Sequence, residues 1–318
     1  LRSGEPFNLQ EFLEKNPGLT DADAADKVRY ALLRRMERDR AVILGPMKKT
    51  TARIQDELLR SPRVRTHIER YASEKGISYA KAENVARKQL RRLCAKQSLF
   101  VVDLLHRFFA WVWSKMYDGV VLDKEGLERV REAARDASLV LLPSHKSHID
   151  YLVLSDMLYG NALMPPLIAA GENLSFWPIG ALLRRGGAFF IRRSFHGDSL
   201  YPVLVEAYVR KLIAEGFTIE FFLEGGRSRT GKALPPKYGL LSMVFDSALK
   251  LRGTKVKLVP ISIGYERIIE ERSFVHELGG GEKQSENVGD LIKSSSILRS
   301  KRGRLYVQFG EVIDFDDV

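Results

Sequence analysis

Two ionisable side chains, His145 and Asp150, stand where the chain leaves a short apolar run, in the segment Pro143-Ser-His-Lys-Ser-His-Ile-Asp150. An imidazole whose N–H is accepted by a carboxylate is held in one tautomer, and its second ring nitrogen can take a proton from a hydroxyl, which is general-base chemistry. Five helical steps rotate by roughly 500°, about 140° away from a shared face, so the pair meets only if His145 lies in the turn ahead of a helix that contains Asp150. The Pro143-Ser144 lead-in permits that turn. The spacing alone does not distinguish a base from a capping or surface pair, and the distinction rests on the motifs that follow. His145, His148 and Asp150 could also offer nitrogen and oxygen to a metal. The His-x-x-His spacing lacks a third protein ligand, however, and His67, His106, His196 and His276 lie in unrelated contexts, so no metal site is read.

Further along, Gly-Gly-Ala-Phe-Phe-Ile-Arg192-Arg193 delivers two guanidinium groups at the end of an apolar run. Strand alternation sends them to opposite faces, so one can enter a cleft and clamp a phosphate dianion while the other pairs with a carboxylate. Residues 221–232, FFLEGGRSRTGK, run from a strand into a Gly-rich basic turn. Gly226 to Lys232 satisfies the spacing of a nucleotide-binding P-loop. Ala233 stands where that loop needs Ser or Thr, and Pro235-Pro236 interrupt the helix that must follow, so a nucleoside triphosphatase is rejected. What remains is an anion or polyol site built from Glu224, Gly225, Gly226, Arg227, Ser228 and Arg229 at a strand's carboxyl end, the usual place for ligands in α/β sheets. A fourth segment, VPISIGYE at 259–266, offers little catalytic chemistry. Its Pro260 belongs at a sheet edge or bulge, where it would wall an acyl site or simply end an edge strand.

These motifs need a scaffold. From about 136 onward, apolar runs such as ASLVLLPS, GAFFIRR, FTIEFFLEGG and VKLVPISIGY read as strands, several of them apolar on both faces, and they alternate with helices near 147–160, 173–185, 198–215 and 239–252. The expected fold is α/β, with a mostly buried mixed or parallel sheet flanked by helices and preceded by an all-helical region. The boundary falls between 1–135, the helical region, and 136–318, the α/β domain. The segment 99–113, LFVVDLLHRFFAWVW, places Phe100, Leu104, Phe108 and Trp111 on one helical face that should be covered, by the α/β domain or by a membrane interface suited to Trp111 and Trp113. The loop at 279–290 is expected to be exposed.

Composition bounds the partners. The 318 residues are 45% hydrophobic and carry a formal net charge of +11, which favours anionic surfaces or phosphorylated substrates. The clusters Arg34–Arg35 and Arg91–Arg92 read as solvated helix faces or contacts to lipid headgroups, and no basic-aromatic stacking surface or motif points to nucleic acid. A single cysteine, Cys94, excludes a disulfide framework and lacks a base beside it. No apolar run reaches the ~18 residues of a membrane span. The start at Leu1, without a secretory pattern, and the end at Val318 are expected to delimit an excerpt of a longer chain.

Taken in order, His145–Asp150, GAFFIRR, FLEGGRSRTGK and VPISIGYE resemble the four acyltransferase blocks of the glycerol-3-phosphate and dihydroxyacetone-phosphate acyltransferase family, most clearly over about 99–314. The resemblance implies that His145 is the base with Asp150 as its partner. It further implies that Lys146, Arg193, Glu224, Gly225, Arg227 and Ser228 bind glycerol 3-phosphate, and that Pro260 shapes the acyl site. It implies acyl-CoA or acyl carrier protein as donor, no cofactor, and peripheral attachment to the cytoplasmic face of the inner membrane. Ser144-His145 and EGGRS, rather than the NH and EGTRS of lysophosphatidate acyltransferases, favour glycerol phosphate as acceptor, with dihydroxyacetone phosphate as the alternative. A non-catalytic basic module that binds membrane or acyl carrier protein is the competing expectation from another class.

Overall fold

The computed structural model describes residues 7–18, 20–46, 49–195, 197–228, 232, 234–251, 253–268 and 301–317; Arg229 and the loop at 279–290 lie outside them. Helices come first. After α1 (Leu9–Glu14), α2 (Asp21–Leu44) starts on Thr20, whose side chain accepts from the Asp23 N–H. Thr50 and Ser78 cap α3 (Thr51–Arg60) and α5 (Tyr79–Leu93) in the same way. Between them, α4 (Pro62–Lys75) opens on a proline, whose missing N–H costs nothing there, and closes on Gly76 in the left-handed region. The long α6 (Leu99–Met116) leads into β1 (Gly119–Leu122) and α7 (Lys124–Ala133).

The strands and helices then alternate: β2 (Ser138–Pro143), α8 (Asp150–Gly160), β3 (Leu167–Gly171), α9 (Ile179–Gly186), β4 (Ala188–Ile191), α10 (Tyr201–Ala214), β5 (Ile219–Glu220), α11 (Tyr238–Lys250) and β6 (Val256–Tyr265). The chain closes with β7 (Arg304–Phe309) and β8 (Ile313–Asp314). These form one sheet in the order β1-β7-β6-β2-β5-β3-β4, with β8 paired to β6. All neighbours run parallel except β6 with β7 and β8. The expected α/β class with a mostly parallel, buried sheet is what forms.

Alternation along β2 explains why its run is continuously apolar. Val140 faces a core shared with α3, α4, α5 and α10, whereas Leu139 and Leu141 face a second core with α6, α7 and α8. The helices of residues 51–95 therefore pack directly on the sheet. The sheet also reaches back across residue 135, because Gly119–Leu122, inside the region expected to be all helix, forms its edge in register with Arg304–Val307. So short a segment carries no legible strand period, and its pairing partner lies almost two hundred residues away.

Two expectations are corrected here. On α6 the buried residues are Val102, Phe109, Trp113 and Met116, while Phe100, Leu104, Phe108 and Trp111 are exposed, Phe100 by 79% and Trp111 by 50%. Of the two covers expected for that face, the α/β domain does not supply one. Pro260 is not on an edge: β6 is flanked by β2 on one side and by β7 and β8 on the other. Proline is tolerated because β6 changes partner there, pairing with β8 up to Leu258 and with β7 from Ile261. The Pro260 carbonyl accepts from Gly310 N–H at 2.8 Å.

Candidate active site

The carboxyl ends of β2, β4 and β5 open into one cleft of about 1910 Å³. The regular helix α8 begins at Asp150, which leaves His145 in the preceding turn, as the spacing requires. There His145 Nδ1 lies 3.0 Å from Asp150 Oδ2. Asp150 is fully buried, and its charge is met by donors: Oδ2 also accepts from the Lys146 and Ser147 amides at 2.7 and 2.9 Å, and Oδ1 accepts from the Tyr265 hydroxyl at 2.5 Å. A buried carboxylate satisfied in this way is compatible with folding, where an unpaired one is not. Its acceptor role places the imidazole proton on Nδ1, leaving Nε2 as the ring nitrogen able to accept.

The third motif grips this turn from across the sheet. His145 N–H donates to Glu224 Oε1 at 3.1 Å, and the His145 carbonyl accepts from Ser228 N–H at 2.7 Å. Glu224 Oε2 accepts from Leu234 N–H at 3.0 Å, and the Ser228 hydroxyl donates to the Lys232 carbonyl. Phe222 stacks on the imidazole, with ring centroids 3.8 Å apart and planes 17° apart. The His145 ring is therefore fixed by a carboxylate, two backbone bonds and a π contact.

Each residue singled out from the sequence has a definite place. His145, Arg193, Gly225 and Arg227 line the cleft. Gly225 has φ +59, and a Cβ there would meet Lys237 Cδ at 2.7 Å, so this turn requires glycine. Lys146, Glu224, Ser228 and Pro260 are not among the lining residues. Glu224 and Ser228 hold the His145 turn, and Lys146 contributes its amide to Asp150. Alternation was expected to send only one arginine into the cleft, but both line it. Arg192 pairs with Asp198 at 2.7 Å and lies 4.2 Å over the Tyr201 ring, whereas Arg193 makes no ion pair among the described residues. Cys94 is buried, its thiol pushed up to about 12 by desolvation, which removes it as a nucleophile.

Three side chains escaped the sequence reading. Tyr265, in the motif expected to offer little chemistry, orients Asp150. Phe222 stacks on the base. Glu220, on β5, is fully buried, and its oxygens have no hydrogen-bond partner among the described residues. Burial, reinforced by the nearby Asp150 charge, raises its carboxyl well above the ordinary 4.5, which favours the neutral form. Glu220, the residue directly before the visible motif, gave no signal, because nothing in a strand pattern marks which carboxylate is the buried one.

A parallel α/β sheet with a clamped His–Asp pair at its carboxyl edge defines a class, and the sequence agrees: residues 121–264 match the acyltransferase family, and 274–318 match the glycerol-3-phosphate acyltransferase C-terminal region. The glycerol-3-phosphate acyltransferase of Shewanella oneidensis is 40% identical over 92% of this chain, and that of Pseudomonas aeruginosa 38% identical over 98%. The chain belongs to the glycerol-3-phosphate acyltransferase family. It spans a little over a third of the length of these relatives, 36% and 37%. The crystal structure of a 1-acyl-sn-glycerophosphate acyltransferase from Thermotoga maritima is similar with a TM-score of 0.41 and 16% identity, covering 92% of this chain and 88% of that one.

Proposed function

We propose that this chain carries the catalytic site that transfers an acyl group from a thioester, acyl-CoA or acyl carrier protein, to the 1-hydroxyl of sn-glycerol 3-phosphate. The supporting observation is the His145–Asp150 pair, fixed in one tautomer and facing a cleft that Arg193 and Arg227 also line. His145 Nε2 takes the hydroxyl proton as the alkoxide oxygen forms its bond to the thioester carbonyl carbon. The tetrahedral intermediate collapses, the C–S bond breaks, and the imidazolium returns the proton to the leaving thiolate. No acyl-enzyme is formed. Asp150 stabilises the imidazolium and, with Phe222, keeps the ring from turning. Arg193 and Arg227 bind the phosphate, supplying binding energy remote from the reacting hydroxyl.

The cleft is also lined by apolar side chains of α6, α8, α9 and β3, among them Val102, Leu105, Phe109, Leu152, Ile168 and Leu183. This apolar lining is assigned to the acyl chain. The outer face of α6, with Phe100, Leu104, Phe108 and Trp111, together with Trp177, 85% exposed just ahead of α9, rests on an anionic phospholipid surface. Net charge of +11 favours that partner, and the cytoplasmic face of the inner membrane would present it. No helix among the described residues is long and apolar enough to cross a membrane. The test is thiol release from palmitoyl-CoA in phospholipid vesicles. The reading expects release that requires glycerol 3-phosphate and yields 1-acyl-glycerol 3-phosphate; release indifferent to the acceptor would contradict it.

A further inference from the structure

Lys237, just ahead of α11, crosses the turn that holds the base. Its N–H donates to the Leu223 carbonyl at 2.7 Å, and Leu234 N–H reaches Glu224 Oε2 at 3.0 Å, so residues 234–237 are tied back onto this turn at two points. The side chain then runs over Gly225: a Cβ at that glycine would stand 2.7 Å from Lys237 Cδ, 3.5 Å from Cγ and 3.4 Å from Cε. The ammonium is one bond further on. Lys237 is exposed and lines the cleft together with Arg193, Gly225 and Arg227. Like Arg193, it makes no ion pair among the described residues, and the carboxylates in the cleft wall are engaged elsewhere, Glu74 by Ser199, Asp156 by His106 and Trp113, and Asp198 by Arg192. The turn beside the base thus carries a positive charge that no carboxylate of the cleft wall neutralises.

We propose that Lys237 is a third phosphate ligand, beside Arg193 and Arg227, and that it selects an acceptor carrying a phosphate dianion. The proposal rests on the reading of the cleft as the place where glycerol 3-phosphate is acylated. In that acceptor only the short glycerol backbone separates the phosphate from the reacting hydroxyl, so the groups that hold the phosphate must lie near His145. Glu224, the neighbour of Gly225, accepts from His145 N–H, which puts the lysine stem one residue from the clamp on the base. The phosphates of the donor match this position less well, because the whole pantetheine arm separates them from the thioester carbon that must reach the same base. A stem already packed on a fixed glycine loses less freedom on binding than an unsupported lysine does. Its ammonium adds a point charge to the directed donors of the two guanidinium groups. Because Lys237 is exposed, its attraction for the phosphate is screened by salt.

The experiment is calorimetric titration of the intact protein and two variants with glycerol 3-phosphate, beside steady-state kinetics with palmitoyl-CoA. Lys237→Met keeps the stem over Gly225 and removes the charge, and Lys237→Arg restores a charge. Lys237→Met raises the Kd, and the acceptor KM with it, roughly tenfold, the low end of what a hydrogen bond to a charged group is worth. The donor KM stays near its original value, and the difference from the intact protein narrows as KCl is added. Lys237→Arg recovers most of the affinity. An unchanged Kd in Lys237→Met overturns the proposal. A loss that is independent of salt and not recovered by Lys237→Arg does the same, because it assigns the side chain to holding the turn. So does a donor KM that rises while the acceptor constants hold, which would put the ammonium on the donor's phosphates. If the intact protein binds glycerol 3-phosphate through Lys237 but transfers no acyl group, the reading of the cleft as an acyl-transfer site fails and the phosphate ligand stands. Absence of glycerol 3-phosphate binding by the intact protein overturns both.

Discussion

The His145 ring is held by groups from three strand ends: Asp150 after β2, Phe222 and the Glu224–Ser228 turn after β5, and, through Asp150, Tyr265 at the end of β6. Tyr265→Phe removes the donor to Asp150 Oδ1 and leaves that oxygen buried without its donor, a loss of about 1–3 kcal/mol. We expect a lower melting temperature and a kcat reduced roughly tenfold with little change in the acceptor KM; an acceptor KM that rises instead would place Tyr265 in substrate binding. Arg193→Ala should raise the acceptor KM and leave the donor KM near its original value, since a lost guanidinium–phosphate contact is worth about 1.5–3 kcal/mol. Unchanged acceptor constants would remove Arg193 from the phosphate site. Arg193→Lys should recover only part, because an ammonium cannot make the bidentate contact. Of this site, the residue types and the need for a turn before Asp150 were legible in the sequence. The division of labour was not. Glu224 and Ser228 read as ligands because their chemistry fits a polyol, and only the three-dimensional juxtaposition of β2 with β5 shows their hydrogen bonds going to the His145 backbone and to their own turn.

At the scale of elements, β5 combines a short pairing segment with the buried Glu220, between β2 and β3. Its carboxyl is raised in the folded chain and ordinary in the unfolded one. Above pH 4.5 the unfolded chain loses this proton while the folded chain keeps it, so stability falls as pH rises until the folded carboxyl itself ionises. Each pH unit across that window removes about 1.36 kcal/mol. Glu220→Gln, which cannot ionise, should flatten the decline in melting temperature from mildly acidic to neutral pH and make the protein more stable at neutrality. Identical pH profiles for the two proteins would show that the carboxyl is not held neutral. The strands covered on both faces and the amphipathic helices were readable from their periodicity. The edge strand β1 and the open face of α6 were not, because burial of an apolar stripe depends on which partner the fold brings to it. The stripe Val102–Phe109–Trp113–Met116 won the core, and Phe100, Leu104, Phe108 and Trp111 were left outside.

For the molecule as a whole, that open face, the apolar lining of the cleft and the positive charge fit the proposed acyl transfer at a lipid surface. Replacing Phe100, Trp111 and Trp177 together with serine should weaken flotation with anionic vesicles about tenfold or more, because large exposed aromatic rings contribute much of the energy of interfacial binding. Equal flotation would assign the face to a protein contact instead. The central claim is that His145 acts as the base, and single-turnover thiol release from palmitoyl-CoA with saturating glycerol 3-phosphate tests it most directly, comparing the intact protein with His145→Ala. A positioned base contributes ~10² to 10⁴-fold. The account predicts acceptor-dependent release slowed by at least that lower factor in a variant that still binds glycerol 3-phosphate, and release at the original rate would contradict it.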